Sequence, residues 1–278
     1  MFSILALGGG GLKGYLEIGA LEELEEMYGP LHKKFHQGIY GCSIGSVIGT
    51  ALAFGIDMKT LKTHFMKFGS ITTLFGVPDI SKVSEMLHKK GVLSLEPFAK
   101  FLIDIFNEEG IDIKNKKLKD ALVPLHIITS NLTKGIPSVF QGDIPVIDAI
   151  LASSCIPLVF QPRIINSCVY VDGGFITNIV MNLIPKEKRE RTLSLSIIHT
   201  NGKICPNTID KMNPLDFAYR LYKTTCLYER SLNPHKNNID LYYKPGSGLS
   251  AFTDKEKEDM ILVGKTLTRE FFRTKCTN

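Results

Sequence analysis

The sequence predicts an α/β protein of three layers, with helices on both faces of a mostly parallel central sheet. Two observations lead to this prediction. Short apolar runs alternate along the chain with longer segments of helical periodicity. Three of the short runs also pass directly into glycine-rich turns, at Gly8–Gly11, Gly41–Gly45 and Gly173-Gly174. Because ligands of such sheets bind beyond the carboxyl ends of the strands, we expect these turns to open on the same side.

The first half of the chain predicts two strands that are each followed by helices. Leu16, Ala20, Leu24 and Met27 recur at helical spacing, and glutamates fill the opposite side of that helix. Ser81 and Ser94 are candidate caps of two later helices, and Pro97 falls in the first turn of the second. The predicted strands are 3–7 and 38–42; the predicted helices are 15–27, 46–54, 57–68, 81–90 and 94–107, with a loop over 69–80.

The second half predicts further alternation and ends in a capped helix. Thr253 and Glu256 form a capping-box pattern that begins a helix ending near Arg273. Met260, Val263, Leu267 and Phe271 make an apolar stripe on that helix, which is more typical of a core than of a membrane-docking face. The predicted strands are 125–130, 138–141, 167–171 and 192–199, and the other predicted helices are 146–153 and 215–228.

Composition limits the classes of protein. The 278 residues, 44% hydrophobic and 22% charged, suit a single domain over 1–278. The net charge of +5 lies in small clusters, which predicts no nucleic-acid partner but is compatible with transient contact with an anionic membrane surface. The six cysteines lack metal-ligand spacing, so we expect no metal and no cofactor. A cytoplasmic location is expected, because neither a signal peptide nor a membrane span is visible.

A candidate nucleophile follows the second strand. Gly41, Ser43 and Gly45 fit the pattern G-x-S-x-G at the junction between a predicted strand and a predicted helix. Small residues on either side permit a sharp turn that holds the hydroxyl at the positive end of the helix. The alternative is a plain tight turn in which Ser43 only caps the helix.

The opening glycines form a second candidate element. The amides of Gly8–Gly11 could converge on a developing negative charge. The stretch Gly9–Gly14 also fits the dinucleotide pattern G-x-G-x-x-G, but no acidic residue ends the second strand. A Walker A loop is excluded too, because it requires Gly-Lys followed by Ser or Thr, whereas here Lys13 is followed by Gly14 and Tyr15. Lys13 is either a solvated loop lysine or a source of positive field at an anion pocket.

A serine nucleophile requires a base, for which two candidates stand out. His199 ends a predicted strand late in the chain. Asp172 lies at a strand exit, and the adjacent Gly173 and Gly174 allow that turn to pass close to another backbone. An ordinary Asp-Gly turn with no chemical role is the alternative for Asp172.

Together, "GGGLKG", "GCSIG", "ASSCIPLVFQP" and "DGG" resemble, in content and order, the motifs of the patatin-like phospholipases. The resemblance covers about residues 3–200 and leaves 201–278 as a C-terminal extension. It implies an α/β/α core and a Ser–Asp dyad that cleaves acyl esters of phospholipids or other lipids without calcium. It also implies the following roles: nucleophile Ser43; general base Asp172; oxyanion loop Gly9, Gly10, Gly11 and Gly14 with Lys13 beside it; turn-forming glycines Gly41, Gly45, Gly173 and Gly174.

An acyl chain would also need an apolar groove. The candidate lining residues are Phe65, Phe68, Leu74, Phe75, Val77, Leu158, Val159 and Phe160. Cys155 and Ile156 stand where the family usually has smaller residues, which predicts a narrower channel. Two other functions stay open at this point. One is an α/β-hydrolase esterase with a histidine base, and the other is a non-catalytic lipid-binding protein on the same scaffold.

Overall fold

The computed structural model describes residues 2–67, 88–198, 206–210, 234–244 and 252–276, together with individual positions between 212 and 232. The strands are β1 (Ile4–Leu7), β2 (Gly38–Cys42), β3 (Gly91–Leu93), β4 (Leu125–Asn131), β5 (Ile136–Phe140), β6 (Leu158–Phe160), β7 (Arg163–Ile165), β8 (Cys168–Asp172), β9 (Thr192–Ile198) and β10 (Asn238–Tyr242). The α-helices with complete bounds are α1 (Tyr15–Tyr28), α2 (Leu31–Lys34), α3 (Ile44–Ala53), α4 (Met58–Lys67), α5 (Glu96–Glu108), α6 (Val146–Ser154), α7 (Pro206–Ile209) and α8 (Asp254–Cys276).

The main sheet confirms the predicted fold class. Its strand order is β10-β9-β1-β2-β4-β8-β7, with β5 paired to β4. The strands from β10 to β4 are parallel, whereas β5, β7 and β8 are antiparallel to their neighbours. Leu7 of β1 is in register with Gly41 of β2 and with Leu195 of β9. The carboxyl ends of these three parallel strands therefore lie at the same edge.

The direction of β8 differs from the expectation that all three glycine-rich turns leave parallel strands. β8 runs antiparallel to β4, and Asp172 is in register with Thr129. On the other side of β4, Cys42 is in register with Ile128. β8 therefore runs in the opposite direction to β2, yet Asp172, its last residue, lies beside the carboxyl end of β2. This is possible because β8 pairs only with the last three residues of β4, from Thr129 to Asn131.

The core occupies both faces of the sheet. Leu5 and Leu7 point into the larger cluster, which includes the buried sides of α1, α3 and α6. Ile4 and Ala6 point to the other face, where a segment containing Val180 packs. This alternation within one strand is the expected result of side chains that project in turn to opposite faces.

Helix α8, from the predicted C-terminal extension, packs against α1 at close range. A Cβ atom added to Gly19 of α1 would lie 2.0 Å from the carbonyl oxygen of Ile261, and one added to Gly264 would lie 2.1 Å from that of Leu16. Met260 is buried, and the rest of its stripe packs against the core. The predicted core role of this helix is therefore confirmed.

Several predicted boundaries can be compared directly. The second strand, Gly38–Cys42, has its predicted bounds. The Thr253–Glu256 capping box is present, with hydrogen bonds of 3.0 and 3.3 Å. Helix α5 begins at Glu96 rather than Ser94, although the Ser94 hydroxyl accepts the Glu96 amide at 3.2 Å. The predicted loop 69–80 and the cap at Ser81 lie outside the described residues. Over the described ranges, no helix combines the length and the apolarity of a membrane-crossing segment.

Candidate active site

Ser43 lies on a strained turn between β2 and α3. Its φ of 53° and ψ of −124° are rare for a residue with a side chain. Its carbonyl accepts hydrogen bonds from the amide of Ser46 at 2.8 Å and from the hydroxyl of Ser46 at 2.6 Å. Ser43 stands at the N-terminus of α3, where the helix dipole is positive. Such a turn projects the hydroxyl away from the backbone of both elements.

A second serine, for which the sequence analysis predicts no role, holds the turn through a hydrogen bond to its backbone. The Ser43 amide donates to Oγ of Ser153 at 2.8 Å, and this hydroxyl donates to the carbonyl of Ile128 at 2.6 Å. Ser153 is fully buried on α6. Buried hydroxyls are normally hydrogen-bonded, but the burial of Ser153 is visible only in the structure.

The glycine loop approaches Ser43 closely. A Cβ atom on Gly9 would lie 3.1 Å from Cβ of Ser43 and 2.8 Å from Oδ1 of Asn178. Gly11 has a φ of +57°, a conformation that side chains disfavour. The consecutive glycines are therefore required by two different constraints, close contact at Gly9 and backbone geometry at Gly11.

The Gly9 amide is already engaged. It donates to Oδ1 of Asn178 at 3.0 Å, and Nδ2 of Asn178 donates back to the Gly9 carbonyl at 3.3 Å. Of the three amides expected as oxyanion donors, that of Gly9 is therefore occupied, and those of Gly10 and Gly11 remain as candidates. Neither of these two amides donates a hydrogen bond to an acceptor within the described part of the chain. Asn178 is a second residue that the sequence did not reveal.

Lys13 is not a solvated loop lysine. Its side chain is completely buried, and Nζ donates to the carbonyl oxygen of Lys244 at 3.1 Å. Burial lowers the pKa of this amine. Lys13 therefore fastens the glycine loop to the chain that follows β10. The neighbouring Gly14 packs against Ile44, where an added Cβ would lie only 2.6 Å from Cγ1.

The glycines beside Ser43 allow three backbones to meet. A Cβ on Gly45 would lie 2.6 Å from the carbonyl oxygens of Leu7 and Gly8, and one on Gly41 would lie 2.4 Å from that of Gly45. The start of α3 is therefore pressed against the exit of β1. This contact joins the predicted nucleophile turn and the predicted oxyanion loop.

Asp172 is buried, and the turn that follows it lies next to the end of β2. Asp172 is 1% exposed; its amide donates to the Cys155 carbonyl at 2.9 Å, and its Oδ1 accepts the Gly174 amide at 2.9 Å. A Cβ on Gly173 would lie 2.9 Å from Sγ of Cys42, the residue before Ser43. Burial and the charge of Asp172 raise the pKa of the Cys155 thiol to about 12. The turn after β8 thus meets the end of β2, as the sequence predicted.

A cavity of about 90 Å³ extends from Ser43 between apolar side chains. Phe65 and Phe160, two predicted groove residues, line it together with Phe98, Phe101 and Ile156. Of the other candidates, Leu158 and Val159 are not among the lining residues, while Phe68, Leu74, Phe75 and Val77 lie outside the described residues. Cys155, unlike Ile156, is buried away from the cavity. The mostly apolar lining of the cavity suits a hydrocarbon chain.

None of the histidines that the structure describes lines this cavity. Nε2 of His64 pairs with Glu109 at 3.0 Å, and that of His235 with Asn182 at 3.0 Å. His126 stacks on Tyr40, and burial together with the charge of Lys188 lowers its pKa to about 4. His199 lies outside the described residues. Over those same residues, no group of three His, Cys, Asp or Glu side chains is placed to hold a metal ion.

Comparisons with known proteins identify the family of this chain. A family model described as Patatin-like phospholipase matches residues 5–183. The chain is 31% identical over 206 residues to the cGAMP-activated phospholipase of Vibrio cholerae, covering 63% of this chain and 54% of that protein. It is 24% identical over 197 residues to the cUMP-AMP-activated phospholipase of Escherichia coli, covering 63% and 55%. The chain thus spans about half the length of these relatives.

Two solved structures share the fold. VipD from Legionella pneumophila superimposes with a TM-score of 0.61 at 16% identity, covering 98% of this chain and 67% of that one. ExoU from Pseudomonas aeruginosa, solved with SpcU, gives a TM-score of 0.55 at 16% identity and covers 100% and 52%. At these identities the likeness concerns the fold.

Proposed function

Since this chain belongs to the patatin-like phospholipase family, we propose that it hydrolyses acyl esters of phospholipids or other lipids through an acyl-enzyme on Ser43. The observation that carries the proposal is the strained turn at Ser43, which lies against the glycine loop and lines an apolar cavity. An acyl chain in the cavity would bring its ester carbonyl to the hydroxyl.

In the acylation step, Asp172 takes the proton of the Ser43 hydroxyl while Oγ attacks the ester carbonyl carbon. The carbonyl electron pair moves to its oxygen, which accepts hydrogen bonds from the amides of Gly10 and Gly11. Each such donor contributes roughly 2.7–4 kcal/mol of transition-state stabilisation. The intermediate then expels the alcohol, which receives the proton from Asp172, and the acyl group stays on Ser43.

Deacylation repeats these steps with water as the nucleophile. Asp172 takes a proton from water, hydroxide adds to the acyl-enzyme, and the same amides stabilise the second oxyanion. Collapse releases the fatty acid and returns the proton to Ser43. The position of Asp172 supports this role, because the turn that follows it packs against Cys42, the residue before Ser43, and a general base has to lie close to the proton that it takes.

A fluorophosphonate probe that reacts with activated serines tests the proposal. We expect it to label the wild-type chain and to leave Ser43→Ala unlabelled. Asp172→Asn should label at least about 100-fold more slowly, since it keeps the shape of the carboxyl but not its basicity. Ser138→Ala, which removes a partly exposed hydroxyl on β5, is the control and should label at the wild-type rate. Undiminished labelling of Ser43→Ala would refute the assignment of the nucleophile.

The same probe separates the two alternatives. Labelling that survives Asp172→Asn but is lost in His199→Ala would indicate a histidine-dependent esterase. Binding of lipid vesicles without any labelling would indicate a lipid-binding protein.

Turnover of phospholipid should then be measured with and without a cyclic dinucleotide, because the names of two relatives state that such nucleotides activate them.

The lipid substrate is expected to be taken from a bilayer surface. Two large apolar residues directly follow the Asp172 turn and are solvent-exposed, Phe175 by 45% and Ile176 by 36%. Side chains of this kind insert into the interfacial region of lipids. Phe175→Ser is expected to weaken sedimentation with anionic vesicles, whereas its reaction rate with a soluble ester should stay within about twofold of wild type.

A further inference from the structure

The oxyanion loop is held by a side chain that lies 169 residues away in sequence. The carboxamide of Asn178 pairs with both backbone groups of Gly9, accepting from the amide at 3.0 Å and donating to the carbonyl at 3.3 Å. The N–H and the C=O of Gly9 belong to two successive peptide units, so the pair orients both of them. The second unit also contains the Gly10 amide, whose direction therefore depends on the same pairing.

Asn178 is itself held by one carboxylate. Its backbone amide donates to Oε2 of Glu229 at 3.2 Å, and Nδ2 of Asn182 donates to Oε1 of the same residue at 2.9 Å. The hydroxyl of Thr177 also donates to Oε1. Three donors from the loop after β8 thus converge on Glu229, which belongs to the segment between β9 and β10. Hydrogen bonds to a charged acceptor of this kind are stronger than neutral ones.

We propose that Asn178 and Glu229 are positioning residues for the oxyanion loop: Asn178 sets the orientation of Gly9, and Glu229 acts through Asn178. The inference rests on the proposed function of Ser43. The loop that begins with Asp172 therefore has two tasks, since it supplies the general base and also aligns the amides on the other side of the substrate. Glu229 makes this alignment depend on the C-terminal part of the chain.

The expected signature is a loss of rate without a loss of binding. The apolar cavity does not include Asn178 or Glu229, so the affinity for an acyl chain should be retained. Displacement of reacting groups by about 1 Å costs up to about 100-fold in rate. We therefore expect Asn178→Ala to lower kcat and the rate of fluorophosphonate labelling by about 10- to 100-fold, with KM within about twofold. Glu229→Ala should lower the same rates by about tenfold.

A matched control separates positioning from a general loss of structure. Asn237 is a buried asparagine that likewise bonds to backbone: its Nδ2 lies 3.4 Å from the carbonyl oxygens of Arg189 and Glu190 rather than against the glycine loop. Asn237→Ala removes a comparable side chain and should lower the melting temperature as much as Asn178→Ala does. It should leave the labelling rate, measured well below the melting temperature, at the wild-type value.

The double variant Asn178→Ala/Glu229→Ala decides whether Glu229 acts through Asn178. If it does, the double variant labels at the same rate as Asn178→Ala alone. Multiplication of the two single losses would overturn the coupling, and a wild-type labelling rate in Asn178→Ala would overturn the whole inference while leaving Ser43 as the nucleophile. A wild-type chain that takes no label would instead refute the proposed function and this inference with it.

Discussion

The main-chain amide of Ser43 donates a 2.8 Å hydrogen bond to the hydroxyl of Ser153, which lies 110 residues further along the chain. The same hydroxyl donates to the carbonyl of Ile128 on β4. Ser153 therefore joins the strained turn to the strand that separates β2 from β8. Backbone strain persists only where the surrounding contacts over-determine it, and this hydroxyl is one of those contacts.

Ser153→Ala should weaken both stability and reactivity. It leaves the Ser43 amide without its partner in a buried site, which costs about 1–3 kcal/mol of unfolding free energy. The turn is then free to relax, so we expect fluorophosphonate labelling to slow by about tenfold. Chemical denaturation and labelling kinetics measure the two effects. Ser154→Ala removes the next hydroxyl, which has no hydrogen-bond partner among the described residues, and should change the unfolding free energy by less than about 0.5 kcal/mol.

Ile156→Ala should change the preferred acyl chain length. The Ile156 side chain lines the cavity beside Ser43, and its truncation enlarges the space available to substrate. We expect the optimum in kcat/KM across a series of p-nitrophenyl esters to move to longer chains. Ile164→Ala, at a position that is 75% exposed on β7, is the control. An unchanged optimum in Ile156→Ala would contradict the assignment of this cavity to the acyl chain.

Glu17 should give the protein a pH-dependent stability. Burial raises the pKa of its carboxyl well above the ordinary value of about 4.3, and the nearby Gly8 amide offsets only part of the increase. The folded state then binds a proton that the unfolded state has released, so stability falls as pH rises above about 4.3 towards the raised pKa. Glu17→Gln stays neutral at every pH, so the melting temperature of the variant relative to that of wild type should rise between pH 5 and pH 8. Glu187→Gln, at an exposed position, should show no such gain.

Gly19→Ala and Gly264→Ala should both destabilise the protein although alanine favours helices. The added Cβ atoms would lie 2.0 and 2.1 Å from backbone oxygens of the facing helix, so α1 and α8 must separate. Overpacking of this kind costs about 1–3 kcal/mol, more than the roughly 0.5–1 kcal/mol by which alanine improves a helix interior. Thr266→Ala, at an exposed position on α8, should be neutral in the same denaturation experiment.

The sequence predicted the fold class and the meeting of the three turns because each depends on local patterns. A strand followed by G-x-S-x-G and a helix is visible in consecutive residues. The hydrogen bonds of Ser153 and Asn178 join residues more than 100 positions apart and leave no periodic trace. The occupation of the Gly9 amide could not be predicted for the same reason, nor could the burial of Lys13, since lysine is usually exposed.

The antiparallel direction of β8 did have a local signal. Asn166 and Ser167, with φ values of 49° and 62°, form a two-residue connection between β7 and β8. Two short apolar runs separated by two turn-forming residues are typical of a hairpin. No element is predicted over 163–165 in the sequence analysis, and the next predicted strand begins at Ser167, which lies in the turn, so this hairpin is not predicted.

Strand β10 has a consequence for biogenesis. β9 pairs with β1 on one side and with β10 on the other, so the ribosome must synthesise the chain beyond Tyr242 before β9 is enclosed. A nascent chain that ends earlier presents the free edge of a strand containing Leu193, Leu195 and Ile197. Such an edge recruits strands from other molecules. Until β10 has been translated and paired, this edge of the sheet is therefore open to association with other chains.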